Sequence, residues 1–180
     1  APGKLMLAGE YAVLDGGPAL VMAANRRVQA RLCSPDDGAP ALSEFLAGIV
    51  DLFEARSEPA LAAAARRVVV DSSSFYQGSQ KLGLGSSAAV TVATLACVVG
   101  NVLGHDAAAP DHVLALAEQA HGNVQGARGA RGSGADLAAC THGGLVRFVR
   151  GDLAGLQRFA QLPGNVQLLA FFTGQSADTA

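Results

Sequence analysis

The segment KLGLGSSAAVTVATLACVVGN, residues 81–101, constrains the fold more than any other part of the chain. From Ser86 to about Leu103 the pattern is helical and apolar on nearly every side. Such a helix is stable only when other elements cover all of its faces, so it predicts a central helix rather than an amphipathic surface helix. A membrane is not the expected cover. The apolar stretch 88–99 is interrupted by Thr91 and Thr94 and is shorter than the roughly 20 apolar residues a spanning helix needs.

The rest of the chain must then supply the cover. Of its 180 residues, 50% are hydrophobic and 16% charged, enough for one substantial core and one domain. A formal net charge of -2, from 13 basic and 15 acidic side chains, makes no field that would attract nucleic acid or an anionic membrane, and neither partner is expected. Cys33, Cys97 and Cys140 are odd in number and widely spaced, which suggests reduced thiols and a cytoplasmic location. No charged-then-apolar leader opens the chain at Ala1, so no signal peptide is expected, and both ends read as cut.

Along the chain, residues 4–32 read as strand, turn and strand with a further strand through 28–32, broken at Gly9 and at Asp15-Gly16-Gly17-Pro18. The spacing of Leu42, Phe45, Leu46, Ile49, Val50 and Phe53 predicts a helix. Residues 60–65 form another, followed by a β-branched strand at 66–73. Asp111 is the expected N-cap of a helix over 112–121 that Gly122 ends. Residues 122–134, with GAR at 126–128 and again at 129–131, are expected to be a loop. A short helix in ADLAACTHGG, a strand at 145–149 and another at 165–172 complete an α+β chain without strict βαβ alternation.

Gly83, Gly85, Ser86 and Ser87 stand where the central helix begins. A helix N-terminus leaves its first N–H groups unpaired and carries the positive end of the macrodipole, so glycines that let backbone wrap an anion make a phosphate site there. A serine hydroxyl can add a ligand for the Mg²⁺ that accompanies a nucleotide. The alternative is that Ser86 or Ser87 simply caps a buried helix. The string fits neither the Walker pattern, which needs a lysine before the hydroxyl residue, nor the dinucleotide fingerprint, which needs a glycine where Ala88 stands. His105, His112, His121 and His142 show no metal-ligand spacing and read as structural or exposed.

Three ordered blocks, APGKLMLAGEYAVLDGGPAL at 1–20, KLGLGSSAAVTVA at 81–93 and GSGADLAACTHGG at 132–144, together resemble the GHMP small-molecule kinases, named for galactokinase, homoserine, mevalonate and phosphomevalonate kinases. The resemblance implies the family's N-terminal, ATP-binding domain over residues 1–180. That domain is an α+β fold like domain 2 of ribosomal protein S5, a mixed sheet packed against helices, and the family's C-terminal domain is then absent or truncated. GEYAVL, VDSSSFY, the QG…GSGADLAA block and TGQSADT lean toward the branch whose acceptor is phosphomevalonate, with mevalonate as the alternative acceptor.

The same resemblance assigns roles. Lys4 reaches the transferred phosphoryl group and Asp136 stands beside the acceptor oxygen. Residues Gly83, Leu84, Gly85, Ser86, Ser87 and Ala88 hold ATP, and Ser87 with Glu118 binds Mg²⁺. Ser133 belongs to the acceptor side, and Arg128 and Arg131, a few residues before Asp136, are expected to clamp an acceptor phosphate. Each has a plainer alternative: a surface lysine for Lys4, the solvated helix face for Glu118, an N-cap for Asp136, a solvated loop for the arginines. A homodimer is compatible with this reading. A non-catalytic nucleotide-binding module is the alternative from another class.

Overall fold

The computed structural model describes residues 1–34, 38, 40–130, 132–159, 162, 164 and 166–174. Strands β1 (Pro2–Ala8) and β2 (Pro18–Arg27) are followed by β3 (Gln29–Leu32), which pairs with β4 (Val68–Asp71). Helices α1 (Glu44–Ala55) and α2 (Pro59–Ala65) lie between β3 and β4. A two-residue hairpin, β5 (Tyr76–Gln77) and β6 (Gln80–Lys81), leads into α3 (Ser86–Val102). Then come α4 (Pro110–Ala127), α5 (Ala135–His142), β7 (Leu145–Val149) and β8 (Gln157–Phe159).

The main sheet has the order β1-β2-β7-β8. The α+β class is as expected, but every pairing among the described strands is antiparallel, where the family resemblance implies a mixed sheet. Antiparallel neighbours need no crossover, and the helices fall instead into the long connections β3–β4 and β6–β7.

The central helix is covered as its composition demands. α3 packs against α1, α2, α4 and α5 and against β1, β3 and β4. Ala88, Ala89, Leu95, Val98 and Val99 on it are completely buried, and even Thr91 is satisfied within the helix, its hydroxyl donating to the Ser87 carbonyl at 3.0 Å. Phe53, Phe75, Phe148, Ile49 and Leu114 fill the remaining volume. The N-cap of α1 is Ser43, whose Oγ accepts from the Leu46 N–H at 3.4 Å.

Two expectations give way to packing. Helix α4 begins at Pro110 with Ala109 as its cap, and it runs through Gly122 to Ala127, so the following loop is shorter than 122–134. A helical glycine costs about 1 kcal/mol relative to alanine, and tertiary contact offsets it: His121 and Val124 on either side are buried. Val124 fits against Gly48 of α1 so closely that a Cβ at Gly48 would lie 2.5 Å from Val124 Cγ2. The strand expected at 165–172 is not formed over 166–172; Leu169 and Phe171 are exposed, and none of the strands described above pairs with them. Residue 165 lies outside the described residues. An apolar run makes a strand only when an edge is there to pair with it.

Truncating the core of α3 tests its central place. Leu95→Ala removes a side chain with no solvent exposure, and is expected to cost about 2–5 kcal/mol, read as a fall in the urea midpoint at unchanged slope.

Candidate active site

The loop before α3 is built onto β1. The Lys4 N–H donates to the Leu84 carbonyl at 2.8 Å, fastening residues 83–85 to the first strand. Gly3 permits the approach, since a Cβ there would lie 2.9 Å from both the Leu84 carbonyl oxygen and Phe75 Cε1. Gly85 sits at φ +71, and a Cβ on it would meet Lys4 Cγ and Cε at 2.9 Å. The Lys4 stem therefore lies across Gly85, and the lysine is half-buried rather than a solvated strand-start residue.

Gly85 is also the N-cap of α3 and makes no side-chain cap, so neither Ser86 nor Ser87 caps the helix. Among the described residues no side-chain cap takes the first-turn N–H groups of this seventeen-residue helix, which are the groups an outside acceptor would use. Ser87 Oγ lies 3.3 Å from His121 Nε2 on α4.

His121 joins the parts. It is buried, and its ring stacks on Phe45 with centroids 5.0 Å apart. Burial lowers its pKa; the Asp136 carboxylate opposes that shift and the Arg128 guanidinium adds to it. Asp136 follows the Gly134 cap of α5 by two residues and is not itself the cap; its Oδ1 accepts from the Leu137 N–H at 2.9 Å. Lys4 and Asp136 both act on the buried Cys140 thiol, whose pKa is pushed up mainly by burial. Ser87 and His121 are in contact, and the charges of Lys4 and Asp136 both reach the Cys140 thiol.

Glu118 lies one turn before His121. Its carboxylate reaches the start of α5, where a Cβ on Gly134 would be 3.2 Å from Oε1, and burial raises its pKa against the opposing Arg150 charge. Glu118, His121, Ser133, Gly134 and Arg150 are among the walls of a cavity of about 250 Å³. Among the described residues no group of three or more His, Cys, Asp or Glu side chains converges as a protein-only metal cage. A hydroxyl and a carboxylate flanking His121 are nevertheless the hard oxygen donors that suit Mg²⁺, which takes its remaining ligands from water and phosphates.

Arg128 is not free to clamp an acceptor here. Its guanidinium forms a two-point ion pair with Glu44, Nε donating at 2.9 Å and Nη2 more closely, and it lies over the Phe45 ring at 5.2 Å from the centroid. Arg131 lies outside the described residues. Sequence reasoning passed over two residues that line the cavity. His121 was detectable as the residue three after Glu118 on one helix face. Arg150 was detectable by strand alternation, having the parity of the buried Val146 and Phe148.

The Lys4 stem thus crosses the uncapped, glycine-bordered start of α3, and the Asp136 carboxylate stands in the first turn of α5. Residues 47–144 match the family described as GHMP kinases N terminal domain, and the chain belongs to that family. It is 32% identical over 211 residues to a phosphomevalonate kinase of Streptomyces sp. (strain CL190), covering 91% of this chain and 52% of that protein. It is 28% identical over 193 residues to a phosphomevalonate kinase of Saccharolobus solfataricus, covering 99% of this chain and 58% of that one. The chain therefore spans little more than half the length of these relatives.

Among solved structures, the Lin0012 protein from Listeria innocua is similar with a TM-score of 0.64 at 27% identity, over 85% of this chain and 48% of that one. The phosphomevalonate kinase of Streptococcus pneumoniae is similar with a TM-score of 0.58 at 25% identity, over 83% of this chain and 46% of that one. A Methanococcus jannaschii mevalonate kinase, 16% identical with a TM-score of 0.58 over 88% of this chain and 54% of that one, shares the fold.

The crossing at Gly85 yields a prediction. Gly85→Ala must adopt a left-handed conformation, costing about 1–2 kcal/mol, and must also displace the Lys4 stem. The variant is expected to melt several degrees lower, by calorimetry, and an unchanged melting temperature contradicts the close approach.

Proposed function

We propose that this chain is the nucleotide-binding part of a phosphomevalonate kinase, which transfers the γ-phosphoryl group of ATP to the phosphate of phosphomevalonate. The observation that carries the reading is the Lys4 stem lying across Gly85, at the uncapped start of α3 and in the neighbourhood of Asp136. The names of the relatives at 32% and 28% identity favour phosphomevalonate over mevalonate as acceptor.

The chemistry asks mostly for positioning and charge neutralisation. The backbone N–H groups at the start of α3 bind nucleotide phosphates, helped by the helix dipole. Lys4 offers its charge to the group in transfer, where negative charge spreads over the oxygens of the transition state. Ser87 Oγ and Glu118 would hold Mg²⁺, which when bound neutralises charge between the phosphates. A neutral His121 can accept the Ser87 hydroxyl proton, leaving the oxygen lone pairs for a cation. A phosphate monoester, with a second pKa of about 6, is already largely a dianion at neutral pH. Asp136 then has little need to remove a proton and instead orients the acceptor against Lys4. With the alcohol of mevalonate the same carboxylate would act as general base.

The test is ADP release followed with phosphomevalonate and mevalonate side by side on the same preparation. Phosphomevalonate is expected to give the higher kcat/KM; turnover of mevalonate alone refutes the acceptor assignment. Lys4→Ala is expected to lower kcat by about a hundredfold, a typical loss for one transition-state donor, with a smaller change in KM for ATP; an effect confined to KM marks a ground-state contact instead. Ser87→Ala should raise the Mg²⁺ concentration needed for half-maximal rate, while its cost in stability stays within about 1–3 kcal/mol, that of the lost His121 bond. An unaltered Mg²⁺ dependence removes Ser87 from the metal site.

A further inference from the structure

Arg150 follows β7 directly and continues its alternation, so it falls on the side of Val146 and Phe148, both without solvent exposure. A charged side chain in that position needs a partner, because a buried charged donor left unpaired is costly. Its Nη1 is buried with no hydrogen-bond partner, and among the described residues the guanidinium makes no ion pair. Glu118 is near enough to feel the charge, yet the two form no bridge and stand instead on the walls of one cavity. Arg128 does not line that cavity and is occupied by Glu44.

Ser133 and the glycine backbone on the side of the cavity away from Glu118 also suit an anion. The Ser133 hydroxyl accepts from the Ala135 N–H at 3.3 Å and keeps its own proton to donate. Gly132 and Gly134 bring backbone to the start of α5, whose cap has no side-chain bond. None of the cavity's walls belongs to residues 83–88 before and at the start of α3. A reaction between two phosphorylated molecules needs two anion sites side by side, and His121, a wall of this cavity, lies 3.3 Å from Ser87 Oγ at the helix start assigned to the nucleotide.

We propose that Arg150 binds the phosphate of the phosphorylated acceptor in this cavity, with Ser133 donating to the same group. The proposal rests on the phosphomevalonate kinase reading and adds to it the residue that separates a phosphorylated acceptor from an unphosphorylated one. A guanidinium presents paired donors to a phosphate, which an ammonium cannot reproduce.

The experiment compares wild type, Arg150→Gln and Arg150→Lys in steady-state kinetics and in titration with inorganic phosphate followed by NMR. Arg150→Gln is expected to raise KM for phosphomevalonate by about tenfold or more, as the loss of a charged hydrogen bond implies. KM for MgATP should stay within about twofold, well below the tenfold that one such bond represents. Arg150→Lys is expected to recover part of the loss, with both variants melting like wild type. An unchanged acceptor KM, or a rise falling on MgATP instead, overturns the assignment. If wild type turns over neither acceptor, the kinase reading fails by itself, and the phosphate titration then decides the site. Binding by wild type that Arg150→Gln abolishes upholds it, and equal or absent binding overturns it. Should Arg150→Gln not fold, Arg150→Lys carries the same comparison, and an unaltered acceptor KM and phosphate affinity in it overturn the role of the guanidinium fork.

Discussion

The bond from the Lys4 N–H to the Leu84 carbonyl is where the fold and the chemistry meet. It requires two glycines, because side chains at Gly3 or Gly85 would occupy the space through which strand, loop and lysine stem pass. It also requires α3 to be immobile, because Leu84 and Gly85 run directly into its first turn. The near-total burial of α3 provides that. A helix packed on several sides cannot shift its N-terminus without disturbing α1, α2, α4 and α5 together. The composition that makes residues 86–102 unfit for a surface thus gives the glycine loop before them a fixed base.

The second fixed point is α4. It carries Glu118 and His121 one turn apart, and its position depends on Val124 seating against Gly48 of α1. His121 links the two helices through Ser87 and is held by Phe45 behind it. Phe45 has Arg128 near its ring as well, and Arg128 is tied to Glu44 on α1. The basic loop that the sequence offers as an acceptor clamp is, at Arg128, part of the brace between α1 and the end of α4.

Legibility from sequence followed how local each determinant is. β7 was evident from LVRFV alone, and α3 from its continuous apolar pattern, because both depend on burial of the residues themselves. The end of α4 was not evident, since Gly122 signals a stop locally and only the distant Gly48 overrides it. The unpaired segment 166–172 failed for the converse reason: its apolar residues suit a strand, but pairing is a property of a neighbour. The glycine turn before α3 could be read because its glycines answer to backbone geometry, whereas the surroundings of Arg128 and Arg150 depend on side chains far away in sequence.

Arginines separate these two kinds of information most sharply. Arg128 sits in a glycine-rich basic loop that looks like a ligand clamp, and it forms an exposed pair with a carboxylate 84 residues earlier. Arg150 sits in an ordinary strand sequence, and its Nη1 is buried without a partner. Solvent and Glu44 satisfy the first, so a ligand would gain little by replacing them. The second has already lost part of its hydration in the folded chain, and an anion entering the cavity would find that desolvation done. Preorganised and partly dehydrated donors discriminate more strongly than mobile, hydrated ones, and by that measure Arg150, just after β7, is better placed than Arg128.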